Sequence, residues 1–195
     1  MNTIHENPKT PHGEGEKLYI VISQTGTILS RVLKLLTRKP YNHSSVSLRR
    51  DLHVLWSFGR LNPYNPFIGG FVKESPYHGT FKRFYKTTCK VLEVDISKEA
   101  YADLAATFED MLVNREDYHY NVKGLFLVPF HYNYQREKHY YCSEFVRAMA
   151  VRAHVEGADT LPEMAKPIDF LSLPHRVIYE GSLLDYANTF PRTDI

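Results

Sequence analysis

The sequence predicts a domain of mixed structure, an α+β fold, from two observations. Some stretches, such as 43–48 and 52–58, alternate in side-chain character as β-strands with two different faces do. Others, such as 97–112 and 142–153, repeat apolar residues at helical spacing. The chain of 195 residues fits one domain with a proper core. We expect residues 16–195 to form it, after a loose polar tail over 1–15.

Turn and capping residues divide the chain into its predicted elements. Thr27 can cap a helix that Pro40 ends, and Ser97 can cap another. The segment 59–70 is rich in Pro, Asn and Gly and is predicted to be a long loop, of the kind that often covers a site. Strands are expected at 18–22, 43–48, 52–58, 81–96 (as one or two strands) and 176–179. Helices are expected at 28–36, 97–112, 142–153 and 168–171.

Charge and cysteine content argue against several classes of function. A net charge of +2, with Lys and Arg scattered, does not favour nucleic-acid binding. No apolar run approaches the length of a membrane span and no leader segment opens the chain, so we expect a soluble cytoplasmic protein. Its two cysteines are expected to be reduced, and no histidine spacing is typical of a metal site. We therefore expect neither a cofactor nor a metal.

The candidate nucleophile is Cys142, which follows two tyrosines where a helical pattern begins. Unpaired amides and the helix dipole favour an anion at that position, so a thiol there ionises more readily. The simpler interpretation is a small buried residue, because Cys142 shares its helix face with Phe145 and Met149. The other cysteine, Cys89, is expected to pack in a strand.

His43 is the candidate base, because it stands on the polar face of a predicted half-buried strand. Ser45 and Ser47 share that face, which favours a wet cleft, whereas Val46 and Leu48 point to the core. Histidine is the commonest general base in enzymes. A plain core or surface histidine is the alternative.

Three motifs together resemble a known superfamily. They are Thr37 to His43 entering a strand, Val54 to Gly59 ending the next strand, and Tyr141 to Val146 opening a helix. Their order and separation resemble the circularly permuted branch of the NlpC-type papain-like cysteine hydrolases. Within that branch the motifs resemble the YiiX-like proteins in particular, and the branch also contains relatives of lecithin:retinol acyltransferase. The resemblance spans 18–151 and implies a permuted papain-like fold, with an antiparallel sheet packed against the cysteine-bearing helix.

The same resemblance implies roles for individual residues. Cys142 would be the nucleophile and His43 the base that later protonates the leaving group. By spacing, the third residue, which orients the imidazole, corresponds to Ser57, where relatives commonly carry a carboxylate, histidine or amide. Since serine brings no charge, Glu144 or Asp51 could be the orienter instead.

The oxyanion of the reaction needs hydrogen-bond donors, and two are expected near the cysteine. The backbone amide of Cys142 lies at the predicted helix start, and Tyr141 could supply a second donor. His53 is a further, weaker candidate for orienting the base. A tyrosine cluster, Tyr132, Tyr134 and Tyr140 with Tyr141, could line a substrate groove or belong to the core.

Two hypotheses of different class follow. The first is a thiol hydrolase or acyltransferase that acts on an amide or ester through an acyl-enzyme. Its substrate would be peptide-like, an amino-acid derivative or a lipid acyl ester. The second is a protein of the same fold that binds a peptide-like or amino-acid ligand without turnover, because Ser57 stands where a stronger orienter is expected.

Overall fold

A computed structural model of the chain describes residues 15–26, 40–62, 65–127, 134 and 136–192. Within these ranges the fold is α+β, with an eight-stranded sheet and several helices. The strands are β1 (Glu16–Gln24), β2 (His43–Ser47), β3 (Leu55–Asn62), β4 (Asn65–Glu74), β5 (Thr88–Ile96), β6 (His119–Tyr120), β7 (His139–Tyr140) and β8 (Arg176–Ser182). The helices are α1 (Gly79–Arg83), α2 (Lys98–Val113), α3 (Val122–Leu127), α4 (Cys142–Arg152) and α5 (Leu183–Ala187), with 3-10 turns at Arg115–Asp117 and Pro167–Ser172.

The strands form one sheet in the order β7-β6-β4-β3-β2-β1-β5-β8. All neighbouring pairs are antiparallel except β6 and β7, which run parallel at the edge. β2 lies near the centre, paired with β1 through Val46 and Ile20 and with β3 through Val46 and Trp56. The first residue of β2, His43, therefore lies inside the sheet rather than at its edge.

The larger hydrophobic core lies between one face of the sheet and helices α2 and α4. Phe145 of α4 is fully buried there, with ring centroids 5.4 Å from Phe58 of β3 and 5.6 Å from Phe71 of β4. Phe108 of α2 completes the contact at 6.1 Å. These aromatic contacts hold the cysteine-bearing helix against the antiparallel sheet, and each buried ring contributes a large apolar area.

A second, smaller core covers the opposite face of the sheet. It combines alternate residues of the central strands, such as Tyr19 and Val21 of β1, with Phe81 of α1 and Leu183 of α5. Because the β1 residues between them face the larger core, β1 is apolar on both sides. Ser44, Ser45, Val46 and Ser47 are likewise fully buried, so the prediction of a half-buried β2 with a wet face was wrong.

Several predicted elements are confirmed within the described residues. The strands at 18–22, 43–48 and 176–179 and the helices at 97–112 and 142–153 are present within a few residues of their expected bounds. The hydroxyl of Ser97 accepts a hydrogen bond from the amide of Ala100, as a helix cap does. The predicted helix at 28–36 and nearly all of the tail over 1–15 lie outside the described residues.

Two predictions around 59–83 were wrong. Residues 59–70 are not a long loop: β3 continues to Asn62, and β4 returns along it with Gly59 opposite Gly70. Strand pairing here depends on backbone hydrogen bonds, which Gly and Asn can make although their composition favours loops. Phe81 belongs to helix α1 instead of a strand. Its ring packs into the smaller core.

In the part of the chain that the structure describes, no helix combines the length and apolar character needed to cross a membrane.

Candidate active site

Cys142 is the first residue of helix α4 and has a free, buried thiol. Tyr141 precedes it in an extended conformation, with φ −99° and ψ 171°, so the chain turns into the helix at the cysteine. The amides of the first helical turn have no partner within the helix and face the same end as the sulfur. This is the position at which the helix dipole stabilises a thiolate.

The imidazole of His43 is hydrogen-bonded to Cys142, across about a hundred positions of sequence. Its Nε2 lies 3.2 Å from Oε2 of Glu74, which leaves Nδ1 as the nitrogen for the sulfur. The side chains of His43 and Glu74 are 14% and 10% exposed, so the pair is screened from water without being closed off. The ring of Phe81 packs beside the imidazole, with centroids 6.1 Å apart.

Glu74, the last residue of β4, makes the contact with His43 that spacing had predicted for Ser57. The Ser57 hydroxyl donates to the same Oε2 of Glu74, at 2.6 Å, so it supports the carboxylate. In the β3–β4 register Ser57 lies opposite Val72, which makes Glu74 its diagonal neighbour on the same face. Sequence spacing therefore led to the neighbouring strand but not to Glu74, because residues 59–70, which include the start of β4, were predicted to be a loop.

The electrostatics of Cys142, His43 and Glu74 favour a thiolate–imidazolium pair. Burial alone would lower the pKa of His43, but the charge of Glu74 and the hydrogen bonds to Cys142 and Glu74 outweigh burial and raise it. Burial alone would raise the pKa of Cys142, but the hydrogen bond and charge of His43 dominate and lower it. The opposite shifts favour the state in which the imidazole carries the proton and sulfur the negative charge.

Ser44, the second residue of β2, also acts on the thiol of Cys142. Its amide and hydroxyl also lower the pKa of the Cys142 thiol, after the larger effect of His43. The Ser44 hydroxyl is buried and makes no hydrogen bond of ordinary geometry to any described atom. The described residues therefore offer this hydroxyl no partner other than the Cys142 sulfur.

Glu144 does not reach His43; it stabilises the start of helix α4. Its Oε2 accepts hydrogen bonds from the Tyr141 amide at 2.9 Å and from Asn121 Nδ2 at 3.4 Å. Burial, partly offset by those two donors, raises the pKa of Glu144 to about 7. Glu144, the third residue of the helix, thus accepts the hydrogen bond from the backbone amide of the N-cap residue, as the glutamate of a capping box does.

The other residues singled out from sequence make contacts of other kinds. The Tyr141 hydroxyl is enclosed without a hydrogen-bond partner among the described atoms. Asp51 accepts from the side chain of Arg49 and the amide of His53. His53 is 1% exposed, and its Nε2 lies 3.2 Å from the carbonyl oxygen of Ala187.

Tyr120 is a residue near the site that the sequence did not single out. Burial raises the pKa of its phenol, and the charges of Cys142 and Glu144 raise it further, so it lies near both. Gly69 makes room for the ring: a Cβ there would be 2.9 Å from Tyr120 Cγ and 2.9 Å from the Gly59 carbonyl. Strand β6 has only two residues. That is too short for an alternating pattern to be recognised in the sequence.

Within the described ranges, no three His, Cys, Asp or Glu side chains are grouped so as to hold a metal ion. Comparison with protein-family models, with curated proteins and with solved structures found no match to this chain.

The elevated pKa of Glu144 predicts a pH-dependent stability. A folded-state pKa of about 7 against an ordinary 4.5 means that folding favours the protonated carboxyl. Its contribution to the free energy of unfolding is full below pH 4.5 and is lost as the pH rises through 7. We expect Glu144→Gln to raise the free energy of unfolding relative to native protein at pH 8, on the order of 2 kcal/mol, with little change at pH 4.5.

Urea unfolding of both proteins at several pH values measures this difference. Glu156→Gln, a change at an exposed glutamate, is the control and should follow the native curve. An equal effect of Glu144→Gln at all pH values would contradict the assignment.

Proposed function

We propose that this protein is a cysteine-dependent hydrolase or acyltransferase that acts on an amide or ester through an acyl-enzyme. One observation carries the proposal: the imidazole of His43 contacts Cys142 on one side and the carboxylate of Glu74 on the other. A nucleophile, its base and a group that orients the base are the parts that covalent acyl transfer requires.

The reaction follows from these contacts. The Cys142 thiolate attacks the carbonyl carbon, and the oxygen that becomes negative is stabilised by the Cys142 amide. Protonated His43 gives its proton to the leaving amine or alcohol, which departs and leaves a thioester on sulfur. Neutral His43 then takes a proton from water or from an acceptor molecule, whose attack releases the acyl group. Glu74 holds the ring and stabilises its charged form throughout.

The resemblance to permuted papain-like proteins is consistent with this chemistry and with the fold. The histidine begins a strand of an antiparallel sheet, the cysteine begins a helix packed on that sheet, and the histidine comes first in the chain. We therefore propose the permuted papain-like fold. The substrate classes stay those of the resemblance, a peptide-like or amino-acid amide or a lipid acyl ester, and the cytoplasmic location stays a prediction.

A ligand-binding protein without turnover is the second candidate. It was suggested because Ser57 brings no charge to orient His43. The carboxylate of Glu74 supplies such a charge, so this argument no longer applies. The observation that still favours it is the burial of Cys142, which is 4% exposed. If the second candidate is correct, a ligand that stabilises the native protein is recovered unchanged, and Cys142→Ala binds it equally well. Product formation that Cys142→Ala abolishes would reject it.

The pH profile of thiol alkylation tests the first proposal. We expect iodoacetamide to modify Cys142 at a rate that stays high below pH 7, because its pKa is lowered, whereas burial raises the pKa of Cys89 to about 12. Site-resolved mass spectrometry of the two modified peptides gives both rates in one sample. A Cys142 rate that rises with pH like that of an ordinary thiol would overturn the proposal.

A further inference from the structure

Two histidines stand side by side on the short strands at one edge of the sheet. β6 and β7 run parallel and pair His119 with His139, so the two side chains lie on the same face. The centres of the two imidazole rings are 5.0 Å apart, and the ring planes are inclined by 51°. His119 is exposed and His139 half-buried, so an ion from solution can reach both rings.

The distance between the rings is one that a shared metal ion requires. An imidazole nitrogen lies about 1.2 Å from its ring centre and binds zinc at about 2.1 Å, so the ring centre lies roughly 3.2 Å from the ion. With ligand angles of about 90–110°, the centres of two such rings are roughly 4.5–5.3 Å apart. The observed 5.0 Å lies within this interval. Because rings that only pack on each other also lie at such distances, the ring nitrogens decide the matter.

The nitrogens of both rings are available to a metal ion. A carbonyl oxygen only accepts, so Nδ1 of His139 carries a proton and donates it to the carbonyl of Glu137, at 2.7 Å. Nε2 of the neutral ring then has a free lone pair. A histidine that binds a metal commonly donates its other N–H to a backbone carbonyl in this way. The ring of His119 makes no hydrogen bond to any described residue, so either of its nitrogens can bind.

The charges next to the two histidines do not oppose a cation. The ammonium group of Lys138 is paired with the carboxylate of Asp117, at 2.9 Å. The guanidinium of Arg136 lies over the ring of Tyr134, 5.4 Å from its centre, and Glu137 beside it supplies the opposite charge. Two basic and two acidic side chains therefore balance, and no excess of positive charge repels an ion at this edge.

We propose that His119 and His139 together bind one divalent transition-metal ion, such as zinc, nickel or copper. Imidazole suits these metals, whereas magnesium and calcium prefer oxygen ligands. Since no third His, Cys, Asp or Glu joins the pair within the described ranges, water fills the remaining coordination positions.

The ion would hold together two strands of two residues each, which share few backbone hydrogen bonds. β7 leads through Tyr141 to Cys142, so the ion stabilises the segment from which helix α4 starts. The site does not depend on the proposed acyl transfer, and its test needs no substrate.

Thermal unfolding with added metal tests the site, in protein without a polyhistidine tag. Every sample carries Cys142→Ala, because the thiol and His43 could themselves bind zinc. Titration calorimetry with zinc chloride should give one ion per chain. At a hundredfold excess over the dissociation constant, zinc should raise the melting temperature by roughly 5–10 °C. Magnesium chloride at equal ionic strength should not, and absence of zinc binding up to about 1 mM would overturn the proposal.

Histidine variants assign the effect to this pair. His119→Asn and His139→Asn should each remove most of the rise in melting temperature, because one imidazole cannot chelate. His154→Asn, at an exposed histidine that follows α4, is the control and should keep the rise. The melting temperatures without metal show that each variant is folded. An equal rise in all three variants would reject the site.

Copper(II) gives a second readout that does not depend on stability. The electron paramagnetic resonance spectrum of Cys142→Ala with one equivalent of copper should show splitting by two imidazole nitrogens. After His119→Asn or His139→Asn, only one nitrogen should contribute. A spectrum that neither substitution changes would contradict shared coordination by the two rings.

Discussion

Replacement of Glu74 by glutamine is expected to slow alkylation of Cys142 at pH 6 by roughly tenfold to a hundredfold. Glutamine keeps the size of the side chain and can still accept a hydrogen bond from Nε2 of His43 and from the Ser57 hydroxyl. It removes the negative charge that raises the pKa of His43. The imidazolium then loses its proton at lower pH, and the thiolate loses its cationic partner.

The direction of the effect with pH follows from the lowered pKa of Cys142. Without the imidazolium, the thiol pKa rises toward its ordinary value, and the thiolate fraction at pH 6 falls about tenfold for each unit of that rise. At alkaline pH, where the thiol ionises in either protein, the rates of native protein and variant converge. The effect is therefore largest at acidic pH.

The measurement is the rate of iodoacetamide labelling at Cys142 from pH 5 to pH 10, with Cys89 as internal reference. Ser57→Ala leaves the charge of Glu74 in place and should shift the profile less than Glu74→Gln does. Glu156→Gln, at an exposed site, should not shift it at all. An unaltered profile in Glu74→Gln would show that the carboxylate does not act on the pair.

Truncation of Phe145 to alanine is expected to lower the free energy of unfolding by about 3–5 kcal/mol. The ring is fully buried between α4 and the sheet and contacts Phe58, Phe71 and Phe108. Its loss leaves a cavity that three large rings cannot fill without moving, so the cost combines lost apolar burial with lost packing.

Urea unfolding followed by the fluorescence of the lone tryptophan, Trp56, measures this change, since Trp56 packs on Phe71 and Phe108. Val151→Ala, on the same helix but 36% exposed, is the matched control and should cost less than about 1 kcal/mol. Equal costs for the two variants would mean that α4 does not pack through this face. Because α4 carries Cys142, Phe145→Ala should also lower the alkylation rate at pH 6.

The contrast between Ser57 and Glu74 shows what spacing along the chain can and cannot predict about the site. Spacing identified the strand that supports His43, because β2 and β3 are neighbours in sequence and in space. It could not identify Glu74, because the first part of its strand, residues 65–70, has the composition of a loop. The carboxylate reaches His43 only because β4 pairs with β3 in one particular register.

Glu144 is the converse case, because this candidate site residue caps its own helix. A carboxylate two residues after a candidate nucleophile could orient a base, yet its oxygen is occupied by the amide of Tyr141 and by Asn121. Glutamate at the third helical position commonly bonds back to the residue before the helix, so the sequence did contain this signal.

Local pattern alone determined that the chain has mixed structure, that a helix begins at Cys142 and that a strand begins at His43. Such features depend on contacts between residues close in the chain, which periodicity and capping record. Only the tertiary structure decided that Cys142, His43 and Glu74 meet. Those contacts depend on strand order and register, which the free energy of the whole sheet and both of its cores selects.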